Sequence, residues 1–400
     1  MQRVSLFGYG KTTKALTKIY PNALFYDDKA VKPFKDEKGF RVQPSSEFNP
    51  EYSDLEIPSP AIPPSNPLIL QAKNLISEYD CFVKNSPMSI WISGTNGKTT
   101  TTQMMQHLLE DKGSQAGGNI GTPLAELNPD ADMWILETSS FTMHYTNLAV
   151  PNIYVLLPIN PDHLSWHKSM NEYEQAKLKP ISKMREGEVA IVPNRYKDIK
   201  SSAHVIGYDN ETDLASHFDI DTKKVNFKGA FLVDAILAMA VDKILFDRVD
   251  YEKINSFILD PHRQEELRDS KNRLWVNDTK ATNIDAAIAA LNRYGDSHIH
   301  LILGGDDKGV DLNELFEYLK SCSVKIYNIG SNKEKLSSLA REYKIPFELC
   351  ENLRDAVSKI DKNLKENEVA LLSPAASSLD EFSSYLQRGD EFKTDVLNIS

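Results

Sequence analysis

A chain of 400 residues is too long for one ordinary hydrophobic core and points to two or three domains. Its 41% hydrophobic and 26% charged residues are those of a soluble globular protein, and a net charge of −11 excludes a general nucleic-acid binder, which needs a basic face. Cys81, Cys322 and Cys350 lie far apart without CxxC spacing, the N-terminus reaches a glycine too soon for a signal peptide, and no apolar run approaches the ~20 residues of a membrane helix, so a cytosolic protein without membrane insertion is expected.

Residues 4–7 read as a strand, followed by Gly8-Tyr9-Gly10 and a short helix to Ile19; a second strand covers 23–26 and ends at Asp27-Asp28. This is the pattern of half a dinucleotide fold, although Thr13 stands where the fingerprint wants its third glycine. A tight strand-to-helix turn with no ligand explains the segment equally well. The proline-rich run 57–64 is expected to be loop, because proline fits neither a helix interior nor a central strand. A helix is expected at 67–79, and Val83-Lys84-Asn85-Ser86-Pro87 reads as a domain junction.

Ser89-Ile90-Trp91-Ile92 is an apolar strand, and Met104, Met105, Leu108 and Leu109 recur beyond it at helical spacing. Between them lies Gly94-Thr95-Asn96-Gly97-Lys98-Thr99-Thr100. Backbone N–H groups at such a helix start are unpaired and the helix dipole adds positive charge, so a phosphate fits there. Lys98 can reach terminal phosphates and the Thr99 hydroxyl can hold Mg²⁺. The ordinary P-loop pattern has a glycine where Ile92 stands, and a capped turn is the competing reading.

Gly117-Gly118-Asn119-Ile120-Gly121-Thr122-Pro123 is a second glycine-rich loop. A strand at 133–136 ends at Glu137-Thr138-Ser139-Ser140, and one at 153–157 ends at Asn160-Pro161-Asp162-His163. Ligands of open α/β sheets gather beyond the carboxyl ends of strands, where these polar clusters fall. Taken singly, Glu137 is a cap and His163 a loop histidine; together with Thr99 they can share one Mg²⁺. A helix over 170–184 carries Lys177 and Lys179, which on residue type alone are solvated surface.

Short strands at 189–192 and 203–206 precede a helix at 229–246 that is apolar around its whole circumference and therefore buried. Asp260-Pro261-His262-Arg263 ends the middle region and is the expected hinge for domain closure. Strands at 274–276, 298–303, 324–329 and 369–372 then alternate with helices, including one to Leu291 and one at 333–343. The last helix is expected to carry Leu379, Phe382 and Leu386 on one side. The class is α/β, with parallel sheets covered by helices on both faces. Three domains are expected: Rossmann-like over 1–85, a central P-loop ATPase-type parallel-sheet domain over 86–260, and a dinucleotide-fold-like α/β domain over 261–400.

The loop from Gly94 to Thr100 resembles the ATP loop of the Mur ligases of peptidoglycan synthesis, a loop also found in folylpolyglutamate synthases. Four further blocks resemble the branch that adds D-glutamate: Gly117-Gly118-Asn119-Ile120-Gly121, Asn277-Asp278-Thr279-Lys280-Ala281-Thr282-Asn283, the run from Leu371 to Phe382, and Gln387-Arg388-Gly389-Asp390-Glu391-Phe392. The likeness covers residues 88–183 and 261–393 and weakens elsewhere. It implies ATP-dependent ligation of D-glutamate to UDP-N-acetylmuramoyl-L-alanine by a cytoplasmic monomer. In that reading Gly94, Thr95, Asn96, Gly97, Lys98, Thr99 and Thr100 bind ATP, and Arg263 and Asp278 contact the nucleotide. Thr99, Glu137, His163 and Lys177 hold two Mg²⁺, with Lys177 carrying CO₂ as a carbamate. Lys98, Glu137, His163 and Lys177 form the catalytic set. Asn119 contacts the muramoyl substrate, and Lys11 and Thr12 sit where the uridine diphosphate enters. Lys280, Thr282, Lys308, Ser378, Leu379 and Tyr385 line the D-glutamate pocket. The chain departs from the family at Ala230-Phe231 and Asp234, where the family usually shows His-Asn and a further Asn, and at Tyr385, where phenylalanine is common. Rival readings are a folylpolyglutamate-type ligase, a nucleotide-gated binding protein and, on Gly8-Tyr9-Gly10 alone, a dinucleotide-dependent oxidoreductase.

Overall fold

Alternation of short apolar strands with helices produces three separate sheets in the computed structural model, which describes residues 2–399. The chain folds into two compact units. The first is the chain up to Phe227 together with Phe231–Phe257; the second is Lys228–Ala230 together with the chain from Ile258. The first unit holds two sheets and the second holds one. Among the described residues no helix is long and apolar enough to cross a membrane.

The first sheet contains β1 (Val4–Phe7), β2 (Leu24–Asp27), β3 (Phe34–Lys35), β4 (Arg41–Pro44) and β5 (Leu55–Pro58), in the order β3-β4-β2-β1-β5. It is parallel except for the β3–β4 pair. Helices α1 (Lys11–Ala15) and α2 (Pro67–Gln71) accompany it. Two expectations need correction here. Ile57 and Pro58 belong to a strand, which proline tolerates because β5 lies at the sheet edge and ends there. The helix expected at 67–79 stops at Gln71. Leu75 instead runs parallel beside Glu56, with Ile76 N–H donating to the Glu56 carbonyl at 3.0 Å, so the segment extends the edge of the sheet.

The middle sheet contains β6 (Met88–Ser93), β7 (Ser114–Gly118), β8 (Met133–Glu137), β9 (Ile153–Leu156), β10 (Val189–Pro193) and β11 (His204–Tyr208). All are parallel, in the order β11-β10-β9-β6-β8-β7. Its helices are α3 (Lys98–Leu109), α4 (Ser140–Tyr145), α5 (Leu164–His167), α6 (Met170–Lys183), α7 (Glu211–His217), α8 (Ala230–Phe246) and α9 (Tyr251–Asn255). Strands covered on both faces need no polar alternation, which is why β8 and β9 are buried at every position. One face packs Trp91, Leu136, Tyr154 and Leu156 against Met143 of α4 and Tyr173, Leu178 and Ile181 of α6.

In the second unit β12 (Glu265–Arg268) pairs antiparallel with β13 (Leu274–Asn277). Then β14 (Ile299–Gly304), β15 (Val324–Ile329), β16 (Phe347–Leu349) and β17 (Val369–Leu372) give the order β12-β13-β17-β14-β15-β16, parallel apart from β12. Helices α10 (Ile284–Arg293), α11 (Asn313–Leu319) and α12 (Lys333–Glu342) cover one face. Helices α13 (Leu353–Asp361) and α14 (Tyr385–Leu397) cover the other. The final helix begins only at Tyr385, so Leu379 and Phe382 precede it; Leu379 and Leu386 are exposed, and the inward face is Arg388, Gly389, Phe392 and Val396.

Candidate active site

Because β9, β6 and β8 are parallel neighbours, their carboxyl ends bring together Gly94, Glu137 and the segment through His163. Gly94 has φ +136°, and a Cβ there would meet the Leu157 Cβ at 2.5 Å, so only glycine lets the loop leave β6 at this angle. Gly97 caps α3 with φ +83°, and Lys98 and Thr99 open the helix. The Lys98 ammonium donates to the Gly94 carbonyl at 3.0 Å and the Thr95 carbonyl at 2.7 Å. Thr95 anchors the loop to the end of β9: its hydroxyl donates to the Asn160 carbonyl at 3.0 Å and accepts from the Asn160 N–H at 2.9 Å.

Lys177 is not solvated surface. It is 1% exposed, and its ammonium donates to the same Gly94 carbonyl at 2.7 Å and lies 4.8 Å from the centre of the Tyr173 ring. Burial, with repulsion from Lys98, pushes this amine well below its usual range. Glu137 is also buried. Its Oε1 accepts from the Asn119 amide at 2.6 Å, whereas Oε2 has no hydrogen-bond partner. His163 has φ +53° at the start of α5, and its ring meets Phe141 edge-on at 4.7 Å. Among the described residues no three His, Cys, Asp or Glu side chains are grouped so as to hold a metal.

At the carboxyl ends of the first sheet, Gly8, Tyr9, Gly10, Asp27, Asp28 and Ser59 line a cavity of about 510 Å³. Lys11 and Thr12 do not line it; the Lys11 ammonium bonds the Gly121 carbonyl instead. Thr13, in place of the third glycine, closes the turn by donating to the Gly8 carbonyl at 2.7 Å and accepting from the Gly10 N–H at 3.1 Å.

In the second unit Asp278, beyond β13, accepts from the Ser373 hydroxyl at 2.9 Å and from the Gln264 N–H at 3.3 Å. Burial outweighs these bonds and pushes its carboxyl up to about 7. Arg263 Nε is buried without a hydrogen-bond partner. Lys280 lies 5.4 Å from the centre of the Tyr385 ring. The loop after β14 pairs with the loop after β17 through Asp306 and Ser377, and Lys308 sits in the former with φ +52°. Ser378 is 2% exposed, while Thr282, Lys308 and Leu379 face outward. Sequence reasoning missed the residue that joins these loops. Arg388 is 1% exposed and donates to the Thr279 hydroxyl at 2.8 Å, the Thr279 carbonyl at 3.0 Å and the Ala376 carbonyl at 3.1 Å.

The Mur ligase middle domain family matches residues 92–237, and the Mur ligase glutamate ligase domain family matches 262–376. A protein of Campylobacter jejuni named UDP-N-acetylmuramoylalanine--D-glutamate ligase is 53% identical over 99% of this chain and 100% of its own. One of the same name from Helicobacter pylori is 45% identical, covering 99% of each. The chain belongs to the Mur ligase family. Among solved structures, MurF of Thermotoga maritima in complex with ADP has a TM-score of 0.61 at 16% identity, covering 99% of this chain and 96% of that one, a likeness of fold. The middle-domain match begins at Ile92 and takes in the whole of Gly94–Thr100. Asp234 accepts from the Thr101 hydroxyl at 2.8 Å, and a Cβ on Gly97 would lie 2.6 Å from its Oδ1. This contact ties α8 to the loop; Asp234, one of two acids in a largely apolar helix, gave no sign of it.

Proposed function

We infer that the chain is an ATP-dependent ligase joining the amine of D-glutamate to the carboxylate of UDP-N-acetylmuramoyl-L-alanine, with release of ADP and phosphate, in peptidoglycan precursor synthesis. The observation that carries this reading is the 53% identity across essentially the whole chain to a relative named for that activity. The chemistry explains the residues. A carboxylate is a poor electrophile, so its oxygen first attacks the γ-phosphorus of ATP, displacing ADP and forming an acyl phosphate. The D-glutamate nitrogen then attacks the acyl carbon, loses a proton and expels phosphate. Negative charge develops on phosphoryl oxygens, and Lys98 at the start of α3 stabilises it together with the N–H groups of the loop.

Magnesium fits the residues of the first unit. The buried, unbonded Oε2 of Glu137 has the chemistry of an oxygen held for a hard cation. Thr99, Glu137, His163 and a carbamate on Lys177 would hold two Mg²⁺, the remaining ligands coming from nucleotide and substrate oxygens. Bound there, Mg²⁺ neutralises phosphoryl charge. Burial pushes the Lys177 amine down, which favours the neutral form that attacks CO₂, forming an N–C bond and releasing a proton. Arg263 and Asp278 are assigned to the nucleotide, Asn119 to the muramoyl group, and the cavity at Gly8–Gly10 to the uridine diphosphate. Lys280, Thr282, Lys308, Ser378, Leu379 and Tyr385 are assigned to D-glutamate, whose two carboxylates require the two lysines.

The test is phosphate release from Mg·ATP with UDP-N-acetylmuramoyl-L-alanine, comparing D-glutamate, L-glutamate, L-lysine and diaminopimelate. Release is expected with D-glutamate. Release only with L-glutamate and a folate would overturn the reading.

A further inference from the structure

Helix α6 carries Lys177 and, three residues further on, a proline in its interior. Pro180 has no N–H, so the Ala176 carbonyl lacks the donor that an unbroken helix places four residues on, and the proline ring crowds that carbonyl. The turn bearing Lys177 is therefore the weak one of its helix. A donor from outside the helix acts there. Tyr154 lies in β9, paired with Trp91 of β6 on one side and Ala190 of β10 on the other, and it is fully buried. Its hydroxyl donates to the Lys177 carbonyl at 2.6 Å. From that fixed point the Lys177 side chain reaches the Gly94 carbonyl, just beyond the end of β6, at 2.7 Å. The backbone and the amine of one lysine are thus held by two neighbouring strands of one sheet.

We propose that Tyr154 is a positioning residue for Lys177: its bond to the lysine carbonyl holds the turn that Pro180 weakens, and so keeps the amine beside the phosphate loop where it takes up CO₂. This rests on the carbamate assigned to Lys177 under the proposed function. Carbamylation joins the amine nitrogen to the carbon of CO₂ and sends one proton to water; the N–H that remains still donates to the Gly94 carbonyl. A lysine amine that swings into water is protonated and does not attack CO₂. Loosening the turn therefore raises the CO₂ concentration that the carbamate needs.

The experiment reads the carbamate directly. Full-length protein with Mg·ADP is titrated with carbon-13 bicarbonate, and the carbamate carbon is followed by NMR in the native protein, Tyr154→Phe and Tyr208→Phe. Phenylalanine keeps the buried ring and removes only the hydroxyl. Tyr208→Phe is the control, because it too loses a buried phenol-to-carbonyl bond, to Leu156 of β9 at 2.9 Å. The half-saturating bicarbonate concentration is expected to rise about three- to tenfold in Tyr154→Phe, the worth of one lost hydrogen bond, and to stay unchanged in Tyr208→Phe. Added bicarbonate restores kcat of Tyr154→Phe, which it would not do for a core that is merely destabilised. Pro180→Ala returns an N–H to the Ala176 carbonyl, and in that background Tyr154→Phe raises the bicarbonate requirement less than about twofold. An unchanged titration in Tyr154→Phe, an equal rise in Tyr208→Phe, or an undiminished rise with Pro180→Ala overturns the positioning role and leaves the carbamate standing. Absence of the carbamate signal from active native protein removes the carbamate itself, and the role of Tyr154 with it.

Discussion

Lys177 and Lys98 both donate to the Gly94 carbonyl, so two amines share one oxygen in a buried place. Such a pair repels unless one amine is neutral or changes sign, and a carbamate on Lys177, as proposed, would do the latter. Lys177→Ala is therefore expected to lower kcat on the order of 100-fold or more, with partial recovery on adding formate or acetate. Carbon-13 bicarbonate should give a carbamate signal in the native protein and none in the variant; full activity without that signal would remove the role. Arg388 makes a different argument. Three of its acceptors lie on loops leaving β13 and β17, and Arg388→Met leaves them buried without donors. A loss of about 2–4 kcal/mol in denaturant unfolding is expected, with a raised KM for D-glutamate. Arg388→Lys should fall between, since an ammonium lacks the planar fork. Residue types alone showed neither burial: Lys177 in Gln175-Ala176-Lys177-Leu178 read as solvated surface until the family resemblance singled it out, and Arg388, within a block that carries that resemblance, was given no role of its own.

At the scale of elements, the strand–loop–helix from β6 to α3 was legible because glycine spacing and apolar periodicity agree there. Val369–Leu372 was legible because a strand buried on both faces is a continuous apolar run, and Val4–Phe7 and Val324–Ile329 because apolar residues still predominate around Ser5 and around Lys325 and Asn328. The end of α2 and the start of α14 were not, since Leu75 pairing beside Glu56 and the inward turn of Arg388 are tertiary contacts that override local propensity. The loop makes its own prediction. Gly97→Ala must hold φ +83° and push a methyl toward the Asp234 carboxylate, costing about 1–2 kcal/mol for the backbone alone. It is expected to raise the KM for ATP more than it lowers thermal stability. Strand pairing in the second unit carries a pH dependence. His300 on β14 joins Tyr327 on β15 at 3.0 Å and Glu368, just before β17, at 3.0 Å. Burial raises the Glu368 carboxyl, but hydrogen bonds from His300 and Lys365 win and pull it from 4.5 down to about 2. Burial also pushes the His300 imidazole down, and a neutral ring still donates from Nε2 to Glu368 while accepting from Tyr327. A carboxyl held below its unfolded value stabilises the fold above about pH 4.5. That contribution, on the order of 2–3 kcal/mol, is lost as the pH falls toward 2. Glu368→Gln should flatten the unfolding free energy over this range and leave its slope near neutrality unchanged.

Over the whole molecule the decisive feature is the division into two units, with the phosphate loop in the first and the residues assigned to D-glutamate in the second. A chain built this way need not unfold in one step. The two units have separate cores, the first around Trp91, Trp134 and Tyr154 and the second around Leu301, Ile326 and Trp275. Ligand that binds only the folded form of one unit stabilises that unit by RT ln(1 + [L]/Kd), about 2.7 kcal/mol at a hundredfold excess over Kd. For a unit of this size that is an upward shift of roughly 5–10 °C. Calorimetry is therefore expected to show two transitions, with non-hydrolysable Mg·ATP analogue moving one of them. Hydrogen exchange measured at the same ligand concentration should slow in the amides of 93–100, which belong to the unit that moved. A single transition that shifts as a whole would mean that the two cores unfold together, and protection confined to the second unit would place the nucleotide away from Gly94–Thr100.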